Sequence, residues 1–157
     1  GMKVSEKLLE QTGVIGEKLE IGSFERITSD FVGSYIHAGN KIATIVGLSN
    51  SFDGASEVAK NVSMQAAAMN PVALDENGVS KDVIEKEIEI AKDQLRAEGK
   101  PEAMLDNIAK GKLKKFFKEN TLVNQAFIKD NKLSVTDYVK SVNSECSITD
   151  FKRSALV

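Results

Sequence analysis

His37 is the residue of this sequence best suited to chemistry near neutral pH, because it is the single histidine and imidazole changes its charge in that range. It follows Tyr35 and precedes a glycine-containing turn, Ala38–Asn40. A catalytic histidine needs a partner group at a fixed place, and the serines and acids of the chain show no spacing typical of a triad. From the pattern alone we expect a structural or solvated His37, and a protein that is not an enzyme.

A cluster of lysines is the second group of side chains that could bind something. Its members are Lys110, Lys112, Lys114, Lys115 and Lys118. Such a patch can contact the phosphates of RNA, but cations in the C-terminal half of a helix also offset the helix dipole. We favour the solvated-face interpretation. The net charge of −2 gives no bulk electrostatic case for nucleic acid, so we expect no direct contact with it.

No metal or cofactor is expected. Cys146 is the single cysteine, so the sequence has no Cys/His cluster suited to zinc, and neither standard glycine-rich phosphate loop is present. A lone cysteine cannot form a disulfide within the chain. The sequence also shows no export signal and no run of about 18 apolar residues. We therefore expect a cytoplasmic protein without membrane contact.

The stretch from Ser80 to Asn120 predicts two helices folded back on each other as an antiparallel coiled-coil hairpin. The first arm repeats apolar residues at heptad spacing, namely Ile84, Ile88, Ala91 and Leu95. The second arm carries an apolar face of Leu105, Ala109, Leu113 and Phe116. Gly99–Pro101 separates the arms, since glycine suits a helix C terminus and proline a first turn. These apolar residues form a seam that can pack between the two arms of the hairpin or support a homodimer.

The segments on either side of the hairpin are predicted to form the two halves of one α+β domain. We expect a small three-stranded antiparallel sheet with helices on one face. Its strands are predicted within Phe24–His37, over Lys41–Leu48 and within Ser147–Val157. By itself, this pattern indicates an interaction module without visible catalytic machinery.

Three further helices are predicted from apolar periodicity and cap residues. They are Lys3–Gln11, ended by Thr12-Gly13; a helix from Ala55 to Met69, capped by Ser51 or Asp53; and a short helix opened by Ser134 with Asp137. The predicted organisation is an N-terminal helix and connector over residues 1–22 and a core over residues 23–157. The hairpin is inserted in that core at residues 80–120.

Several strings of this sequence, in the same order, resemble bacterial elongation factor Ts. The most distinctive is Ile108–Phe116. The others are Ser34–His37, Ser63–Pro71, Glu85–Glu87, Gly99–Glu102, Leu122 with Gln125 and Phe127, and Phe151–Arg153. Each string alone is weakly specific. The ordered set, from about Ile15 to Arg153, covers most of the chain and is specific.

The resemblance implies that this chain is part of a guanine-nucleotide exchange factor for elongation factor Tu. Elongation factor Tu is the GTPase that carries aminoacyl-tRNA to the ribosome. It also implies that the chain corresponds to the C-terminal core subdomain of the family, with its inserted coiled-coil hairpin. Such a factor promotes GDP release by protein–protein contact, without covalent chemistry. The alternative is a dimerisation or assembly module without exchange activity of its own.

Four residues match partner-binding positions of the family. His37 matches the histidine that contacts the GTPase domain of the partner, and Ile15 and Gly16 match an apolar–glycine pair in the same interface. Ile128 falls where the family has an apolar contact to the C-terminal domain of the partner. The resemblance thus implies partner-binding roles for these residues and no catalytic residue.

The sequence also departs from the family. It lacks the N-terminal module, the tail helix and the first core subdomain, whose Thr-Asp-Phe-Val wedge acts near the magnesium site of the partner. Ser29–Val32 resembles that wedge, but its position just before Gly33–His37 aligns it with an ordinary strand. We therefore expect weak exchange activity from this chain.

Overall fold

The computed structural model of the chain describes residues 1–156, and its α+β content confirms the predicted fold class. The helices are α1 (Val4–Ile15), α2 (Ala55–Met69), α3 (Lys81–Ala97), α4 (Glu102–Asn120) and α5 (Val135–Val142). The strands are β1 (Phe31–Ile36), β2 (Ile42–Leu48), β3 (Ala126–Phe127), β4 (Asp130–Ser134) and β5 (Ile148–Ala155). Strands β1, β2 and β5 form an antiparallel sheet with β2 in its centre.

The central strand β2 decides which face of the sheet is buried. Its alternating residues Thr44, Val46 and Leu48 are at most 2% exposed, as expected when one face of a strand packs on a core. Helix α2 covers that face, and its apolar residues form one cluster with those of the sheet and of α5. The members nearest the sheet are Val46, Leu48, Val58, Ala59, Val62 and Ile148.

Helix α2 approaches the edge strand β1 very closely at Gly33. A Cβ atom built on Gly33 would lie 2.4 Å from the Cβ of Ala59. Both residues are small, so the helix backbone can lie closer to the strand than any larger pair would allow. This contact sets the distance between α2 and the end of β1, where His37 follows.

Helices α3 and α4 pack against each other in an antiparallel hairpin. Ala91 and Leu95 of α3 and Leu105 and Ala109 of α4 are buried, so the arms use their apolar seam between themselves. Across the arms, Lys92 Nζ lies 2.9 Å from Asp106 Oδ1. This hydrogen bond raises the pKa of Lys92 and lowers the pKa of the Asp106 carboxyl. Exposed ion pairs contribute little, so apolar packing is the larger stabilising term.

The predicted end of α1 is wrong. Thr12-Gly13 does not end the helix, which continues to Ile15, and Gly16 is its left-handed C-cap with φ 77°. Gly13 can adopt helical angles at a modest free-energy cost, whereas the left-handed position favours glycine strongly. Ile15 therefore belongs to the last helical turn rather than to a connector.

Two details of the sheet and of α2 also differ from the predictions. Only Phe31–Ile36 of the predicted extended segment is strand. Before it, the Ser29 hydroxyl donates to the Leu48 carbonyl at 2.6 Å and lies 2.7 Å from Thr149 Oγ1. The N-cap of α2 is Gly54, without a side-chain hydrogen bond, and not Ser51 or Asp53.

The hairpin of β3 and β4 was not predicted from the sequence. Strand β3 is only two residues long, and β4 carries the polar run Asp130–Lys132. Neither shows the alternation that identifies a half-buried strand. The pairing nevertheless matters, because the turn of this hairpin carries Ile128.

The predicted opening of α5 is confirmed as a capping box. The Ser134 hydroxyl and backbone N–H donate to Asp137 Oδ2 at 2.7 and 3.2 Å, and the Asp137 N–H donates back to Ser134 Oγ at 3.0 Å. The hydrogen bonds from Ser134 hold the pKa of Asp137 below its usual value of 3.8. The charged carboxylate is thus the form that the cap stabilises.

This capping box predicts a pH-dependent contribution to stability. Because the pKa of Asp137 is lower in the folded state than in the unfolded state, its contribution is complete above the unfolded pKa. It is lost as the pH falls through the folded pKa. Urea denaturation at pH 7 and at pH 3 should therefore give a larger stability difference between wild type and Asp137→Asn at pH 7. In a Ser134→Ala background the stability difference caused by Asp137→Asn should depend less on pH. An unchanged pH dependence would contradict the capping box as its origin.

Candidate partner-binding site

His37 lies at the end of β1, immediately before the tight turn to β2. Its backbone N–H donates to the Ile42 carbonyl at 2.8 Å, and Asn40 N–H donates back to the His37 carbonyl at 3.0 Å. The imidazole is exposed, and Nδ1 lies 3.1 Å from the Tyr35 hydroxyl with the rings edge to face at 5.9 Å. Residues two apart on a strand share a face, so both rings lie on the α2 side of the sheet.

Ile128 lies in the turn between β3 and β4. Its side chain is 43% exposed, although its backbone N–H donates to the buried side chain of Gln65 on α2 at 2.8 Å. The next residue, Lys129, extends its Nζ to within 2.6 Å of Asn61 Oδ1. The turn thus presents one apolar and one cationic side chain beside α2.

An open groove of about 730 Å³ is lined by one neighbour of each of these predicted contact residues. Tyr35, which contacts His37, and Lys129, which follows Ile128, both line it. Between them lie residues of α2 and its N-cap: Gly54, Ser56, Glu57, Lys60, Asn61 and Met64. We call this surface the α2 groove; His37 and Ile128 each lie next to one of its lining residues and do not line it themselves.

Ile15 and Gly16 do not line the α2 groove in the part of the chain that the structure describes. They end helix α1, Ile15 is 54% exposed, and α1 has no buried residue among the described ones. The four predicted contact residues are thus not gathered into a single cluster. His37 and Ile128 each lie next to a residue that lines the groove, and Ile15 and Gly16 lie at the C-terminal end of α1.

The outer face of α2 was not predicted as a contact surface. Ser56, Lys60 and Met64 recur every four residues and so share one face of a helix, but we considered only the buried face of α2. The missing signal was this second periodicity, in which Met64 is an apolar residue among polar ones. Lys129 was missed because it follows the predicted Ile128 in a turn that the sequence did not reveal.

The lysine cluster of α4 is partly engaged in the hairpin. Lys112 Nζ donates to Gln94 Oε1 of α3 at 3.1 Å, and Lys115 lies 3.7 Å from Glu119. These contacts agree with the interpretation of a solvated face, and the absence of nucleic-acid contact stays a prediction.

Within residues 1–156, no group of three or more His, Cys, Asp or Glu side chains is arranged to hold a metal ion. Over the same residues, none of the helices is long and apolar enough to span a membrane.

Comparison with known proteins identifies the family. The family model described as elongation factor TS matches residues 1–156. The chain belongs to the elongation factor Ts family. It is 68% identical over 156 residues to the elongation factor Ts of Christiangramia forsetii, covering 99% of this chain and 57% of that protein.

Further elongation factor Ts proteins match over the same length. The identity is 65% over 156 residues for Flavobacterium psychrophilum and 47% over 154 residues for Amoebophilus asiaticus. This chain spans 57% and 56% of those two proteins. The predicted resemblance to elongation factor Ts is therefore confirmed, and the chain corresponds to slightly more than half the length of these relatives.

Proposed function

We propose that this chain is a part of elongation factor Ts that binds elongation factor Tu and contributes to exchange of its guanine nucleotide. Family membership over residues 1–156 supports a role in translation elongation. The observation that carries the proposal is the α2 groove, since two contact positions implied by the family resemblance, His37 and Ile128, each lie next to a residue that lines it. A partner seated in the groove can contact both at once.

The proposed mechanism is linkage between two binding events. A factor that binds nucleotide-free elongation factor Tu more tightly than the GDP-bound form must weaken GDP binding by the same ratio. Every step is then protein–protein contact, so the proposal needs no nucleophile, metal or cofactor from this chain. We accordingly propose a binding protein that is not an enzyme and acts in the cytoplasm.

The proposal predicts binding with little acceleration of exchange. We expect this chain to bind elongation factor Tu measurably, because the α2 groove is complete in it. We expect it to speed the release of fluorescently labelled GDP only slightly, because it spans 57% of the relative from Christiangramia forsetii. Fluorescence anisotropy measures the binding, and stopped-flow fluorescence the release. If the chain does not bind elongation factor Tu at concentrations of tens of micromolar, the proposal is wrong for this chain.

A dimerisation module is the second candidate, and the outer face of the sheet favours it. Val32 and Ile36 of β1 are 41% and 64% exposed and lie on the face of the sheet away from α2. The hairpin supports it less, because its seam is buried between its own arms. Light scattering distinguishes the two proposals: a strict monomer at high concentration would exclude dimerisation and leave binding to elongation factor Tu untouched.

A further inference from the structure

The turn that carries Ile128 is fixed from the α2 side by Gln65. This side chain is fully buried. Its Oε1 accepts from the Ile128 N–H at 2.8 Å, and its Nε2 donates to the Ala126 carbonyl at 3.1 Å and to Gln125 Oε1 at 3.2 Å. A buried amide is costly unless it is paired. Gln65 meets that requirement through the backbone of Ala126 in β3 and of Ile128 in the turn, and through the Gln125 side chain.

A second side chain of α2 fixes the same turn through Lys129. Asn61 is 5% exposed, and its Oδ1 accepts from Lys129 Nζ at 2.6 Å. Its Nδ2 donates to the Tyr138 hydroxyl at 2.7 Å. The Tyr138 ring in turn stacks on Phe127 of β3 at 4.0 Å and an interplanar angle of 11°. Asn61 is thereby fixed on its other side by α5.

Asn61 and Gln65 are four residues apart and therefore lie on one face of α2. Together they fix the backbone of Ile128 and the amine of Lys129, while the apolar side chain of Ile128 remains exposed. A turn needs no such support merely to reverse the chain. An ordered backbone with an exposed apolar side chain is instead what a preorganised contact requires, because binding then loses less conformational entropy.

We propose that Gln65 and Asn61 are positioning residues for binding of elongation factor Tu, acting through the Ile128–Lys129 turn. This inference rests on the proposed function, since it assigns a role within the same partner surface. Gln65 is fully buried and does not touch the partner itself, and Asn61, which lines the α2 groove, acts on the same turn through Lys129. Together they hold Ile128 in the orientation in which it contacts the partner.

The test is a double-mutant cycle on the affinity for nucleotide-free elongation factor Tu. Gln65→Met keeps the length of the side chain and removes all three hydrogen bonds. We expect it to weaken binding about tenfold in the wild-type background, from the ordering cost of the released turn, and to have almost no effect in an Ile128→Ala background. The matched control is Thr44→Val, which removes another buried hydrogen bond to α2, from Thr44 Oγ1 to the Ser63 carbonyl at 2.8 Å. It should leave the affinity unchanged.

Amide hydrogen exchange supplies a measurement that needs no partner. The Ile128 amide should be protected in wild type and exchange much faster in Gln65→Met, whereas the amides of β2 should stay protected in both. Rapid exchange of Ile128 in wild type would overturn the inference directly.

The outcomes separate this inference from the proposed function. If wild type does not bind elongation factor Tu, the proposed function fails and this inference fails with it. If wild type binds but Gln65→Met behaves like Thr44→Val, or weakens binding equally with and without Ile128, only the positioning role fails. A loss that depends on Ile128 supports both.

Discussion

Replacing Gly33 by alanine should destabilise the protein by about 2 kcal/mol, in the range found for overpacked cores. The added Cβ would lie 2.4 Å from the Cβ of Ala59 and 3.3 Å from its carbonyl carbon. Both atoms are fixed to the α2 backbone, so no side-chain rotation can relieve the contact. Either α2 or β1 must move, and the packing of Val46 and Val62 around them is lost in part. Urea denaturation followed by circular dichroism measures the change.

Two further variants establish the cause. Gly111→Ala adds a methyl group where, apart from its chain neighbours and its own helix backbone, no atom of the described residues lies within 4 Å, and as a helix-interior change it should stabilise by about 0.5–1 kcal/mol. Ala59→Gly alone should cost about 1 kcal/mol through helix propensity. The double variant Gly33→Ala/Ala59→Gly should be more stable than the sum of the single effects predicts, because the clashing methyl is gone. Strict additivity would refute the close-approach explanation.

Replacing Ile128 by aspartate should weaken binding to elongation factor Tu at least about tenfold, the scale of an interface hot spot. Ile128 is 43% exposed in the free protein, so the change should leave the fold almost unaffected. On binding, the substituted carboxylate would have to leave water for an apolar contact, which is costly without a partner cation. Isothermal titration calorimetry with nucleotide-free elongation factor Tu measures the effect.

The matched control is Met104→Asp at the N-terminal end of α4. Met104 is 52% exposed, so the same change is made at another exposed apolar residue, on the hairpin and away from the α2 groove. It should leave the affinity within about twofold of wild type, the size expected of a surface change outside an interface. Equal losses for the two variants would indicate a general effect of negative charge and not a contact at Ile128.

The parts of the fold that were predictable have local sequence signals. The alternation of Ile42, Thr44, Val46 and Leu48 with the residues between them predicts the strand, and the 3.6-residue period of α2 predicts the helix that covers it. The Ser134–Asp137 spacing predicts the cap of α5. In each case the signal and the contact it implies lie within a few residues of each other.

The parts that were missed depend on contacts between distant segments. Strand β3 exists because Ala126 and Phe127 pair with β4 and not because of its own propensity. The N-terminal helix passes through Gly13 and ends only where Gly16 can adopt the left-handed conformation. Local glycine content alone could not distinguish these two positions.

The candidate site shows the same division. The resemblance to the family predicted His37 and Ile128 as contacts, and the α2 groove gives these two a shared surface. Periodicity could not predict that Gln65 binds a turn 63 residues away, because the partner of this polar side chain lies in another segment of the chain. Long-range hydrogen bonds of this kind become visible only in the folded structure.

The measurement that tests the central claim most directly is an NMR titration of the isotope-labelled chain with nucleotide-free elongation factor Tu. If the partner occupies the α2 groove, signals of Tyr35, His37, Lys60, Met64 and Ile128 should shift or broaden together, while those of the hairpin tip around Gly99 remain unchanged. Changes confined to the α3–α4 hairpin or to the outer face of the sheet, with the groove unaffected, would contradict the account.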